Sequence, residues 1–108
     1  MSGPLITPTK GEALFVWRRR AEMNQVDAAE ELGVSPDKYR EWEADRGGDI
    51  PRKAVGQLKD YEAYTLLRRR KKMTQDEVAR RIGVSRLWVH QMEAGQGPIE
   101  RLAQFWGA

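Results

Sequence analysis

Cysteine is absent from the 108-residue chain and histidine occurs once, so neither a disulfide framework nor a thiolate metal site can form. His90 has no second imidazole or suitably spaced carboxylate with which to share a metal, and no nucleophile–histidine–acid set can be assembled around it. The acidic pairs Glu30-Glu31 and Glu41-Glu43 read as solvated helix faces, and a chain this short hardly supplies the cleft that paired-carboxylate hydrolysis needs. An enzyme is not expected, and no cofactor is implied. Long apolar runs are also missing: Arg, Lys, Asp or Glu interrupts every stretch before it reaches a membrane span. Met1 to Lys10 lacks the cationic start and apolar core of a secretory signal. The expectation is a cytoplasmic protein without a membrane partner.

What the chain does have is a globular balance, 40% hydrophobic and 32% charged. Its net charge of +3 is unevenly spread. Residues 1–53 hold nine Lys and Arg against ten Asp and Glu, a balance of −1, and residues 54–108 hold ten against six, a balance of +4. The basic character belongs to the second half, which is mild evidence for a polyanionic partner.

Sliding the chain by 50 positions onto itself exposes a repeat. Arg18-Arg19-Arg20 falls on Arg68-Arg69-Arg70, Met23 on Met73, Gln25 on Gln75 and Ala29 on Ala79. The same offset pairs Gly33-Val34-Ser35 with Gly83-Val84-Ser85 and Glu43-Ala44 with Glu93-Ala94, without a gap.

Each repeat reads as a run of about four short helices, giving an all-α fold. Thr9 and Glu12 have capping-box spacing and open a helix running to about Met23. Second helices start after Asn24 and after Thr74, where Glu77 holds the capping-box position, and end at the stop glycines Gly33 and Gly83. Ser35 and Ser85 are natural N-caps for third helices, which end near Ala44 and Gly95. Pro51 and Pro98 are expected to open fourth helices. Arg52 to Met73 contains no proline and reads either as one helix shared by both repeats or as two that break near Asp60. The organisation expected is a tail over residues 1–8, a first repeat over 9–60 and a second over 61–108.

In the second repeat, Val78, Ala79, Ile82, Val84, Val89 and Met92 are the apolar positions around the Gly83 turn. Val78 and Ile82 share one helix face, Val89 and Met92 the next, and Ala79 is small where two helices must approach. Two amphipathic segments with a glycine between them are what a helix–tight turn–helix requires. The first repeat supplies Ala28, Ala29, Leu32, Val34, Tyr39 and Trp42 at the same places. Residues 73–95, with Gln75, Ala79, Gly83, Ser85 and the closing Glu93-Ala94-Gly95, resemble the Cro/repressor-type helix-turn-helix proteins of phages and bacteria. The first repeat resembles them more loosely: Asp45 replaces the glycine of Glu-x-Gly, and Gly47-Gly48 follows.

The resemblance implies a DNA-binding regulator in which Ser85 starts the recognition helix and the residues after it enter the major groove of double-stranded DNA. Arg86, Leu87, His90 and Gln91 remain exposed once Val89 and Met92 are given to the core. Arg86 can donate twice to guanine N7 and O6, Gln91 can pair with adenine, and Leu87 can meet a thymine methyl. Gln75, at the start of the preceding helix, is placed to hold a phosphate. Trp88 either packs or braces against the sugar-phosphate backbone. The resemblance also implies ion pairs between first and third helices, Arg18 with Glu43 and Arg68 with Glu93. Arg69, Arg70, Lys71 and Lys72 divide between DNA backbone and solvent.

In the first repeat, Pro36, Asp37 and Glu41 stand where the second has Arg86, Leu87 and Gln91, and carboxylates near phosphates are repelled. Gln25, Lys38 and Arg40 are its candidate DNA contacts. It reads as a weaker reader or a protein-contact module, with a second reading head as the alternative. A monomer would then address an asymmetric site, whereas a homodimer would read a palindrome with two second repeats. Rival roles on the same fold are a protein-interaction function, such as an antitoxin or antirepressor, and a DNA-recognition subunit for packaging or transposition. Trp17, Trp42 and Phe105 are expected in the core; Trp106 belongs either there or to a dimer patch.

Overall fold

The computed structural model describes residues 6–107, so residues 1–5 of the expected tail and Ala108 lie outside the described residues. Every regular element described is an α-helix: α1 (Lys10–Arg20), α2 (Gln25–Leu32), α3 (Pro36–Glu43), α4 (Asp60–Arg70), α5 (Gln75–Ile82), α6 (Arg86–Glu93) and α7 (Glu100–Gly107). The chain is all-α, and α1–α3 recur fifty residues later as α4–α6. None of the described helices is long and apolar enough to cross a membrane.

Local chemistry sets the helix ends. The Thr9 hydroxyl accepts from the Glu12 N–H at 3.1 Å while the Glu12 carboxylate accepts from the Thr9 N–H at 2.9 Å. Asn24 with Asp27 and Thr74 with Glu77 do the same for α2 and α5. Gly33 and Gly83 close those helices with φ of 71° and 74°, values that cost other residues about 1 kcal/mol. Ser35 and Ser85 then cap α3 and α6, each hydroxyl accepting the third-residue N–H at 3.1 Å.

The described residues divide into two compact units, one of Thr7–Gln57 and one of residues 58–107 with Ile6. Leu14, Ala28, Ala29, Tyr39 and Trp42 form the core of the first, with Trp17 packed against it. The second is built from Tyr64, Val78, Ala79, Val89, Met92 and Leu102, with Phe105 and Trp106 packed on it and meeting edge to face at 4.8 Å.

The fourth helix exists only in the second unit. Pro51 opens no helix, residues 51–59 are not helical, and no helix is shared: α4 starts afresh at Asp60. The reason lies in the repeat itself. Leu102 is fully buried and anchors α7, but its counterpart is the exposed Arg52; Ala103 and Trp106 correspond to Lys53 and Gly56. Without an apolar stripe, helix formation has no packing to stabilise it. Residues 51–57 are instead held by Arg20, whose guanidinium donates to the carbonyls of Val55 at 2.6 Å and Gln57 at 3.3 Å, and by Lys53, whose ammonium lies 4.4 Å from the Trp17 ring centroid.

The two cores also trade volume between helices. In the first unit a small α1 residue, Leu14, faces a large α3 residue, Tyr39, whose hydroxyl donates to the Leu14 carbonyl at 3.3 Å. In the second the bulk comes from the first helix, Tyr64, and Val89 fills the α6 position. A second exchange involves Asp45, where the glycine of Glu-x-Gly is missing. Gly95 sits so close to the Tyr61 ring that a Cβ would come within 2.8 Å of it. The counterpart of Tyr61 is Gly11, where a Cβ would lie 2.6 Å from the Trp42 carbonyl oxygen. The space goes to Asp45, which adopts φ +59° and accepts from the Thr9 hydroxyl at 2.6 Å and the Gly11 N–H at 2.8 Å. Those two hydrogen bonds at the start of α1 offset the left-handed strain.

The volume exchange predicts strong coupling. Leu14→Tyr should destabilise the first unit by about 1–3 kcal/mol through overpacking, and Tyr39→Val by about 2–4 kcal/mol through a cavity. The double variant, which recreates the second unit's arrangement, should recover at least about 1 kcal/mol of the summed loss. Urea unfolding followed by the indole NMR signals of Trp17 and Trp42 measures it; strict additivity would refute the exchange.

Candidate nucleic-acid interface

Position of α6 is fixed from behind by a buried carboxylate. Glu93 is 1% exposed and receives the Arg68 guanidinium in a two-bond fork, Nε to Oε2 at 2.7 Å and Nη2 to Oε1 at 3.0 Å. The third guanidinium nitrogen, Nη1, donates to the Met73 carbonyl at 2.9 Å, and Gln75 Nε2 donates to Glu93 Oε1 at 3.0 Å. One carboxylate thereby ties the end of α6 to α4 and to the start of α5. The first unit repeats the arrangement with Arg18, Met23, Gln25 and Glu43 at 2.6–3.2 Å.

With its inner side held by Val89 and Met92, at 0% and 1% exposure, α6 turns the opposite face outward. Arg86, Leu87 and His90 are exposed and Gln91 is partly so; Leu87, at 63%, is one of two exposed large hydrophobic residues among those described. An exposed leucine beside an exposed arginine on the first turn offers both an apolar contact and a two-pronged donor. Ser85 is also exposed, but its hydroxyl is engaged in capping Trp88. Trp88 packs against the core and carries the Arg101 guanidinium 5.9 Å from its ring centroid. Its indole supports α6 against α7. The Gln75 amide, expected on a phosphate, gives one N–H to Glu93, so its first task is to position. Arg68, Lys72, Thr74, Gln75, Asp76 and Arg86 line a shallow concave surface beside this face.

The same face of the first unit is self-neutralised. Arg40 is paired with Asp37, and the Lys38 ammonium donates to the Gly47 carbonyl at 3.4 Å while lying 5.9 Å from the Trp42 ring centroid. Pro36 is half-buried, Glu41 is exposed, and Gln25 donates to Glu43 as Gln75 does to Glu93. The structure therefore brings Arg86, Leu87, His90 and Gln91 together on one exposed face and leaves Gln25, Lys38 and Arg40 engaged elsewhere. Arg101, against Trp88, is a neighbour of this face that sequence reasoning did not single out, and of the four basic residues from Arg69 to Lys72 only Lys72 lines the concave surface.

Burial alone would raise the Glu43 carboxyl, but hydrogen bonds from Arg18 and Gln25 outweigh it and hold it below the usual carboxylate range. Burial pushes the Tyr39 phenol well above its ordinary value. Since the folded-state value of Glu43 lies below that of the unfolded chain, its contribution is fully present above the ordinary carboxylate range. It disappears as the pH falls through the folded-state value. Acid titration followed by the indole signals of Trp17 and Trp42 should show the first unit losing stability below about pH 4.5. Glu43→Gln should lower stability at neutral pH and flatten that slope; an unchanged slope would assign the acid sensitivity to other groups.

No curated protein and no solved structure matches the chain. Residues 65–108 match a family model described as a helix-turn-helix domain. Together with α5, the Gly83 turn and the outward face of α6, that match makes this stretch similar to a helix-turn-helix DNA-binding family.

Proposed function

We propose that the protein is a sequence-specific double-stranded-DNA-binding transcriptional regulator, a repressor of the phage or bacterial kind, acting in the cytoplasm. In this reading residues 9–60 and 61–108 are two tandem copies of a Cro/repressor-type helix-turn-helix, and the second does most of the reading. The observation that carries it is the division of labour on α6: Val89 and Met92 are buried while Arg86, Leu87 and His90, with Gln91 partly, face outward from the same two turns. The helix is clamped through Glu93, so the backbone that carries these side chains is already placed before docking. The excess of basic residues in the second unit supports attraction to the duplex before any base is read.

Arg86 is assigned to a guanine, Gln91 to an adenine and Leu87 to a thymine methyl, with His90 beside them. A regulator with one strong reading face per chain would address a palindrome as a homodimer. Selection of preferred duplexes from a random pool, followed by binding of Arg86→Ala to the winner, tests the assignment. The variant should bind about 1–3 kcal/mol more weakly and lose preference at one base pair. Equal loss on every duplex would reduce Arg86 to a phosphate contact, and no salt-dependent duplex binding by the unaltered chain would overturn the DNA-binding role.

A further inference from the structure

The concave surface beside α6 is formed where three helix ends meet: the corner after α4, the start of α5 and the start of α6. Two exposed cations stand on its rim, Lys72 and Arg86, and neither is in an ion pair among the described residues. Lys72 occupies a left-handed corner, φ +56°, which a lysine adopts only at a cost, and its backbone N–H closes the helix by donating to the Arg69 carbonyl at 3.0 Å. This conformation turns the chain sharply between α4 and α5 and puts the residue at the rim. Lys71, its neighbour, does not line the surface. The one carboxylate there, Asp76, lies 3.6 Å from Arg80 on its own helix, which offsets its charge.

The first unit has the same corner with the charge reversed. Glu22 stands where Lys72 stands, with the same φ of +56°, and Pro36 replaces Arg86. Asp76 is replaced by Val26, which is 53% exposed. Arg18, Met23 and Gln25 are retained, so the scaffold of the corner persists while both rim cations are gone. The arginines preceding the corner do not distinguish the units, because Arg19 and Arg20 match Arg69 and Arg70. Among the charged positions, what differs is the corner residue, the first residue of the third helix and the Asp76 position, where the first unit has no charge.

We infer that the corner residue decides which unit holds the DNA backbone: Lys72 grips a phosphate in the second unit, and Glu22 at the matching place keeps the first unit off the duplex. The inference rests on the DNA-binding role proposed above and goes further, naming a phosphate-binding residue outside the reading helix and making engagement single-headed. Coulomb attraction between an exposed ammonium and a phosphate is sequence-blind and releases a condensed counterion, so its signature is the salt dependence of binding rather than base preference. A carboxylate at the same corner repels the phosphate over the same distance.

The test uses the full chain and the duplex selected above, with affinity measured from low to moderate salt. Lys72→Gln should reduce the slope of log K against log salt by about 0.9, weaken preferred and unrelated duplexes alike, and leave the thermal transition unchanged. Lys72→Arg should restore the slope. The paired variant Lys38→Gln with Arg40→Gln, in the first unit, should leave it unaltered. An unchanged slope in Lys72→Gln, with binding otherwise intact, would overturn the role of Lys72 while leaving the proposed function standing. A reduced slope in the paired variant would overturn single-headed engagement. Absence of duplex binding by the unaltered chain would remove both readings.

Discussion

A carboxylate almost wholly withdrawn from water is the constraint on which each unit is built. Glu43 and Glu93 are 5% and 1% exposed, and an ion left unanswered at that depth would cost several kcal/mol. Each is answered by an arginine in a two-bond fork and by a glutamine amide, and the same arginine continues to a carbonyl at the next corner. Charge-assisted forks of this kind are directional as well as strong. They specify where the third helix ends, how the first lies against it and where the second begins. The apolar contacts add the bulk of the burial, but they are less particular about angle.

Around that fixed centre the two units have diverged in ways that conserve volume. The aromatic ring comes from α3 as Tyr39 in one and from α4 as Tyr64 in the other, with Leu14 and Val89 yielding the space. Gly11 admits the Asp45 carboxylate, whereas Gly95 admits the Tyr61 ring. Close-packed interiors tolerate such exchanges when both members change together, because what must be preserved is filled space.

The surfaces have diverged without compensation, which is where function enters. Nothing in packing requires Arg86 to be arginine, Leu87 to be exposed or Lys72 to be basic, and the first unit folds with Pro36, Asp37 and Glu22 at those places. A face whose chemistry the fold does not dictate is free to be set by a partner. The second unit carries a basic face of mixed character and the first a self-neutralised one. Two units with one scaffold thus present unlike surfaces.

By itself the sequence determined the positions of six helices, because the instructions are local. A cap such as Thr74 with Glu77, or a stop such as Gly83, acts within about one helical turn and is read from neighbouring letters. The exposed face of α6 followed from assigning Val89 and Met92 inward, and the Arg–Glu pairs came from resemblance. Tertiary structure alone decided the rest. Pro51 looks like a helix start, yet residues 51–57 lack the apolar stripe that would dock a helix, and Arg20 takes their carbonyls instead. Gln75 looks free for phosphate, but its amide turns to a carboxylate eighteen residues away. Asp45 looks like a defect until Gly11 opens the space for it. Each of these outcomes depends on which side chain arrives from a distant segment to occupy a volume or satisfy a polar group, and linear spacing does not carry that information.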